Sequence, residues 1–358
     1  EGGTGRSAGT VTCTASSRGG GGGTVTGTAS SRGSTPAASP AVGRHSSMLG
    51  APSYRETELR HSIGQGTYGA VYRGECHGQP VAVKVMSLQR DTAEDIKREI
   101  KLMRECDCPN IVAYRDAFLR EHEMRRMLWV VMELCDMGST LDLMRRQQGP
   151  LDEASIAWVC RGVLTGLDYM HASRKAIHRD IKAANVLVTS DGVVKVADLG
   201  VAAQLFNTMS KRGTMIGTPH WMAPETLAQM GDDSTYDTKV DIWSLGITLI
   251  ELAQTSPPLA DVRSVFKVMM LIANSPPPTL EPTTPASAPF HALLAAALTK
   301  DAATRPTAAA LLAHPFAQHA TAQGLQAAIG GLTSAGRPRA ESRERAESAG
   351  SLDRTMVL

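Results

Sequence analysis

The stretch AIHRDIKAANVLVTSDGVVKVADLG, from Ala176 to Gly200, carries Asp180, Lys182, Asn185 and Asp198 on two short loops that flank a predicted hairpin. Its strands are VLV (Val186–Val188) and VVKVA (Val193–Ala197), with TSDG as the turn. Acidic side chains and an amide carbonyl are hard oxygen ligands suited to magnesium. A second carboxylate beside such a cation can orient a hydroxyl nucleophile toward a metal-held phosphate. Four polar groups converging in this way point to phosphoryl transfer.

The chain has 358 residues and a net charge of +2, with its charged residues interspersed. That balance excludes a general nucleic-acid or anionic-membrane binder, for which basic residues would pile up on one segment. The six cysteines form no CxxC pair and no zinc-ligand spacing with the histidines, so a reducing, cytoplasmic setting is expected. The most apolar run, Ile242 to Ala253, is too short to span a bilayer and holds Glu251. Residues 1–53 are rich in Gly, Ser and Thr and include GGGGG at Gly19–Gly23. Such a segment cannot bury enough surface to offset its chain entropy, and it is predicted to be disordered. The chain opens on Glu1 rather than Met, which suggests a fragment or an incomplete gene model.

From Tyr54 the composition changes. IGQGTYGAVYRG (Ile63 to Gly74) is a GxGxxGxV pattern built on Gly64, Gly66, Gly69 and Val71, in which glycine lets backbone approach phosphate oxygens without a Cβ in the way. VAVKV (Val81 to Val85) alternates so that Ala82 and Lys84 share one face and the valines the other. A lysine on a packed face needs an opposite charge. The predicted helix from Asp91 to Cys106 carries Ile96, Ile100 and Met103 at helical spacing, and Glu99 falls inside that stripe. Glu99 is thereby the candidate partner of Lys84, ahead of Glu94. The segment LREHEMRRM (Leu119 to Met127) reads as an exposed basic loop, and LWVVMELC (Leu128 to Cys135) as a continuous apolar strand.

HRDIKAAN followed by DLG, with the glycine pattern, VAVKV and APE (Ala223, Pro224, Glu225) in order, resembles the eukaryotic protein kinases. GTPHWMAPE, DLGVAAQL and KVDIWSLGITLIELA resemble the sterile-twenty-like serine/threonine group, germinal-centre subgroup, close to the Hippo kinases. The resemblance implies an α+β, two-lobed fold over residues 54–317: a small, mainly β N-lobe with one regulatory helix (about 54–134) and a larger, mainly α C-lobe (about 135–317). It also implies ATP and Mg²⁺ as cofactors and proteins as substrates, with no nucleic-acid or membrane partner. Asp180 becomes the expected catalytic base and Lys182 the γ-phosphate contact. Lys84 with Glu99 would hold the other phosphates, and Asn185 and Asp198 would ligate the metal. Ile63, Gly64, Gly66, Gly69, Val71, Ala82 and Leu187 would enclose the nucleotide, with Met132 as gatekeeper and the backbone of Glu133 and Cys135 bonding the adenine.

The same resemblance makes Thr214 the activating phosphosite, modified by an upstream kinase or by another copy of the chain, with Arg179 as partner of the phosphate. Thr218 would hydrogen-bond Asp180 and Lys182. Asp241 is expected to anchor the HRD backbone, and Arg305 to pair with Glu225. Leu199 and His220 stand where phenylalanine is commoner in that family, and the resemblance would put His220 in the substrate-facing loop. Asp142 reads equally as a ribose or substrate contact and as a helix N-terminal carboxylate. The helix from about Asp152 to Ala172 should bury Ile156, Cys160, Val163, Leu167 and Met170. Residues 318–358 are expected to form a disordered tail. A different class of function, an ATP-binding pseudokinase acting as an allosteric scaffold, would call for loss of Lys84, Asp180 or Asp198, and none is missing.

Overall fold

The computed structural model describes residues 53–66, 69–87, 100–122, 125–198, 219–228 and 237–334. The β-branched N-terminal segments form one antiparallel sheet of β1 (Glu58–Gly66), β2 (Gly69–Cys76), β3 (Gln79–Ser87), β4 (Tyr114–His122) and β5 (Arg125–Glu133), in the order β1-β2-β3-β5-β4. Period-two alternation puts Val81, Val83 and Val85 of β3 into a cluster with Cys76, Phe118 and Val131. Ala82 and Lys84 are left on the other face. Gly69 closes the β1–β2 hairpin opposite Gly66, and a Cβ there would lie 2.1 Å from the Val85 carbonyl oxygen, so no side chain fits.

The basic segment after Leu119 is strand rather than loop. β4 and β5 stay paired as far as His122 and Arg125, and Arg120 lays its guanidinium 4.1 Å from the centre of the Trp129 ring. Its charges hide the strand period because the solvent face of a sheet accepts them. Residues 100–105 are helical, with Ile100 and Met103 packed against Met86, Ile111, Leu128, Val130 and Met170. The rest of the helix predicted from Asp91, including Glu94 and Glu99, lies outside the described residues.

Among the described residues, the second lobe is helical apart from a two-stranded hairpin, β6 (Val186–Val188) with β7 (Val194–Val196). Its TSDG turn closes through the Gly192 N–H to the Thr189 carbonyl, with Gly192 at φ 77°, where glycine carries no steric cost. Helix α1 (Thr140–Gln147) starts on a reciprocal cap. Ser139 Oγ accepts the Asp142 N–H, and Asp142 Oδ2 accepts the Ser139 N–H. Asp142 thus serves as the helix N-terminal carboxylate that one of its two readings expected. In α2 (Glu153–Asp168), Ile156, Cys160, Val163 and Leu167 are all buried, as is Met170 in the π-turn that follows. Helix α3 (Lys239–Gln254) is buried at every position from Val240 to Leu252 and forms the axis of the lobe. Helix α5 (Ala288–Ala297) packs on it, α6 (Ala308–Leu312) and α7 (Pro315–Gln318) pack on α2, and α4 (Val265–Asn274) packs on residues 219–228.

The lobes meet through main chain as well as through side chains. A Cβ on Gly166 of α2 would stand 2.9 Å from the Asn110 carbonyl, so glycine lets that turn approach closely. Asn110 and Val112 then hydrogen-bond to β7: Val196 N–H to Asn110 O at 2.8 Å, and Val112 N–H to Val196 O at 3.0 Å.

The expected disordered tail does not begin at 318. Residues Ala322–Ser334 form α8, which lies along α2 with Leu325 and Ile329 buried. Gly324 sits so near Ala154 that a Cβ would lie 2.7 Å from the Ala154 Cβ. The small residues that make this stretch look low in complexity are what allow close helix packing, and two aliphatics four apart supply the apolar stripe. Leu325→Ala is expected to cost about 2–5 kcal/mol of stability, against less than about 0.5 kcal/mol for Gln323→Ala on the exposed side. Thermal or denaturant unfolding of the two variants measures the difference.

Candidate active site

Asp241, in the first turn of α3, is fully buried, and its carboxylate organises the loop before β6. Oδ1 accepts the Arg179 N–H at 2.7 Å; Oδ2 accepts the His178 N–H at 2.8 Å and faces His171 Nε2 at 2.8 Å. These bonds hold Arg179 at φ 68°, a left-handed conformation that costs about 1–2 kcal/mol for a residue with a Cβ. His178 Nδ1 accepts the Asp180 N–H at 3.2 Å, so Nε2 carries the proton and donates to the Ala197 carbonyl at 2.9 Å. The loop that holds Asp180 is thus joined to the residue before Asp198.

The Asp180 carboxylate takes Lys182 Nζ at 2.8 and 2.9 Å. Asn185 Nδ2 donates to the Asp180 carbonyl at 2.8 Å and to its Oδ2 at 2.7 Å. Its amide hydrogens go to Asp180, and the side-chain oxygen that remains is of a kind that would suit a hard cation. Asp198, at φ 60°, accepts Lys84 Nζ at 2.7 Å, and Lys84 is only 5% exposed. Burial pushes the Asp198 carboxyl up. The Lys84 ammonium and its hydrogen bond, helped by His178 and Lys182, outweigh that and hold it below the usual carboxylate range.

Lys84, Met103, Val112, Tyr114, Val130 and Met132 line a cavity between the lobes together with Val196, Ala197 and Asp198. Met132 and Leu187 pack with Cys135, Val112 and Ala197, and Ala82 stands opposite Met132 in the β3–β5 ladder. Val71 lies opposite Lys84 on β2; Gly64 pairs with Val71, and Ile63 beside it is exposed. Of the residues predicted to enclose a nucleotide, Met132 lines this cavity beside Lys84, and Leu187 and Cys135 pack against Met132. The Glu133 N–H is already taken by the Ala113 carbonyl at 2.9 Å, so a base would meet the carbonyl of that residue instead. Burial, with the Glu133 charge nearby, pushes the Cys135 thiol up to about 12, which keeps it protonated.

The residues suit magnesium. Asn185 and Asp198 offer two oxygens, and magnesium sites commonly combine one or two carboxylates with phosphate and water ligands. Among the described residues, no group of three or more His, Cys, Asp and Glu forms a self-sufficient metal cage.

The sequence reading passed over Glu251 except as a charge in an apolar run. It is 5% exposed, and its Oε2 accepts the Ala183 N–H and Trp221 Nε1–H, both at 3.0 Å. It joins the Asp180 loop to the segment ending at Glu225. Burial pushes its carboxyl up, and the two donors with Lys182 offset only part of that. The signal was present: a carboxylate in a helix that is apolar all round must find donors. Arg305 pairs with Glu225 as expected, at 2.6 and 3.1 Å, from full burial. His220 Nε2 donates to the Leu259 carbonyl at 3.1 Å. Leu199, Thr214 and Thr218 lie outside the described residues.

The family model for the protein kinase domain matches residues 57–317. Curated relatives include serine/threonine-protein kinase 1 of Arabidopsis thaliana, 44% identical over 265 residues, covering 73% of this chain and 30% of that protein. Serine/threonine-protein kinase 4 homolog A of Dictyostelium discoideum is 45% identical over 267 residues, or 74% of this chain and 56% of its own. Serine/threonine-protein kinase cst-1 of Caenorhabditis elegans is 41% identical over 277 residues, or 77% and 54%. The chain spans between about a third and about half the length of these relatives.

Lys84→Met removes the main influence that lowers the Asp198 carboxyl and leaves burial to raise it. Carbon-13 titration of the side-chain carboxyls should show Asp198 protonating at higher pH in the variant. In the parent, a depressed carboxyl contributes stability above its unfolded pKa that is lost as pH falls through the folded value. The variant should lack that contribution.

Proposed function

Since the chain belongs to the protein kinase family, in its sterile-twenty-like serine/threonine group, we propose that it transfers the γ-phosphate of ATP to serine and threonine hydroxyls of protein substrates. The observation that carries this reading is the joint placement of two acids and two bases. Lys84 and Asp198 meet at 2.7 Å in the cleft, and Asp180 is held by Lys182 and Asn185 on the adjoining loop.

In this reading the glycine hairpin of β1 and β2 covers the phosphates, and Lys84 neutralises them from the floor of the cleft. Asn185 and Asp198 hold Mg²⁺, which supplies the charge that offsets the phosphate oxygens when bound. Asp180 orients the acceptor hydroxyl and takes its proton, while Lys182 steadies the phosphoryl group that is transferred. Glu99, outside the described residues, is proposed as the second partner of Lys84. Catalysis of this kind is mainly positioning and charge stabilisation. Nothing observed favours a silent scaffold, because Lys84, Asp180, Asn185 and Asp198 are all present and clustered.

Activity is proposed to rise when Thr214 is phosphorylated, by an upstream kinase or by a second copy of the chain. A group of about −1.5 to −2 charge on Thr214 would draw on Arg179, beside the catalytic aspartate, and order the segment between them. The five described cysteines are free thiols, and no described helix is long and apolar enough to cross a membrane. The reduced cysteines are consistent with the proposed cytoplasmic location.

A peptide-library assay with labelled ATP tests the reading. Asp180→Asn and Asp198→Asn should each lower turnover on the order of 10²–10³-fold or more with unfolding temperatures near the parent's; equal turnover in Asp198→Asn would refute a metal-dependent transfer. Thr214→Ala should resemble phosphatase-treated parent protein, and full activity in that variant would exclude phosphate-driven ordering.

A further inference from the structure

Behind the cleft lies an ion pair that the chemistry above does not use. Glu133, the last residue of β5, accepts the Ala113 N–H at 2.7 Å and Lys195 Nζ at 2.8 Å, both on Oε1. Its own N–H returns to the Ala113 carbonyl at 2.9 Å. Lys195 is the middle residue of β7, three before Asp198, and its side chain is 12% exposed against 20% for Glu133. Ala113 belongs to the segment whose Asn110 and Val112 are bonded to the same strand. Three pieces of chain therefore converge on one oxygen: the end of β5 that leads out of the small lobe, the segment before β4, and the strand that delivers Asp198.

The rest of the connection between the lobes is tied down by other means. Met137 N–H bonds to the Val188 carbonyl, Val188 N–H to the Gly138 carbonyl, and Asp136 accepts the Ser190 N–H at 2.8 Å. Residues 136–138 are thus held to β6 and its turn, whereas Glu133 is held to β7 through a charge. An exposed ion pair would add little. For a largely buried one, loss of either partner leaves an uncompensated charge and a displaced main chain.

We propose that Lys195 is a positioning residue for the nucleotide: through Glu133 it fixes the segment Glu133–Cys135 relative to β7, and so sets the spacing between the edge that meets the base and the carboxylate that meets the metal. Lys195 itself touches neither. The inference rests on the ATP-dependent reading above and adds to it a residue outside the cleft. Loosening this tie leaves Lys84, Asp180, Asn185 and Asp198 in place but lets the lobes take up more relative orientations. Nucleotide binding then bears the cost, because only a fraction of the molecules present both halves of the site together.

Calorimetric titration with Mg·ADP, together with steady-state kinetics, tests this in the full chain using Lys195→Met, Glu133→Gln and the double variant. Each single variant is expected to bind ADP roughly 5- to 20-fold more weakly, with the double variant no worse than the weaker single. In Lys195→Met the KM for ATP should rise by a similar factor while kcat changes by less than about twofold, a split that general loss of structure would not give. Glu133→Gln keeps an acceptor for the Ala113 N–H and nearly the same shape, so it reports on the charge pair even where Lys195→Met folds poorly. Unchanged ADP affinity in Glu133→Gln, additive losses in the double variant, or a fall in kcat at constant KM would each overturn the proposal. Failure of the parent chain to bind ADP at all would overturn the ATP reading with it; binding by the parent and by all three variants alike would overturn the role of Lys195 alone.

Discussion

The loop that carries Asp180 owes its shape to one carboxylate. Asp241 is sealed in the core at the start of α3, and both its oxygens are committed: one to the Arg179 N–H, the other to the His178 N–H and the His171 ring. A buried acid can persist only when its acceptors are filled, and here the donors are the main chain of the loop itself. The bonds that make the buried charge tolerable also hold Arg179 in a left-handed turn and set the direction in which Asp180 leaves it. Because α3 is buried all round, that carboxylate has the rigidity of the whole lobe behind it.

The other buried charges follow the same logic at other junctions. Glu251 ties the Asp180 loop to Trp221, and Arg305 ties Glu225 to the Lys239 and Thr299 carbonyls. Lys84 ties the sheet to Asp198. Replacing such a group by an apolar one of equal size is often neutral for stability or better, whereas removing one partner is costly. Each joins a buried element to a segment that carries or supports the site, which matches a role in fixing geometry. The apolar clusters around α2 and α3 hold the lobe together; the charges decide where its loops point.

Much of this was legible in the sequence because the relevant signals are local. Alternation in VAVKV, the TSDG turn and the stripe Ile156, Cys160, Val163, Leu167 each specify an element from its own residues. Asp180, Lys182 and Asn185 were readable as a group because they lie within six positions of one another, so a single loop brings them together. What escaped notice depends on tertiary partners. Glu251 looks like an isolated charge until Ala183 and Trp221, far away in sequence, are placed beside it. The β4–β5 hairpin was hidden by charges on its outer face, and α8 by a composition of small residues whose purpose appears only against Ala154. Lys84 found Asp198, 114 residues away, a meeting that no periodicity announces.

The stitching of Asn110 and Val112 to β7 changes what holds the two halves of the molecule together. The peptide chain passes between them near residues 133–138, yet the β7 ladder and the apolar cluster that joins Met170 to Met86, Met103 and Val130 bridge the same boundary without covalent linkage. Chain continuity at the connecting segment is therefore only one of several bonds across that seam. A cut there would leave these hydrogen bonds and this apolar cluster still spanning the boundary, so the severed ends would not be the last tie between the two halves.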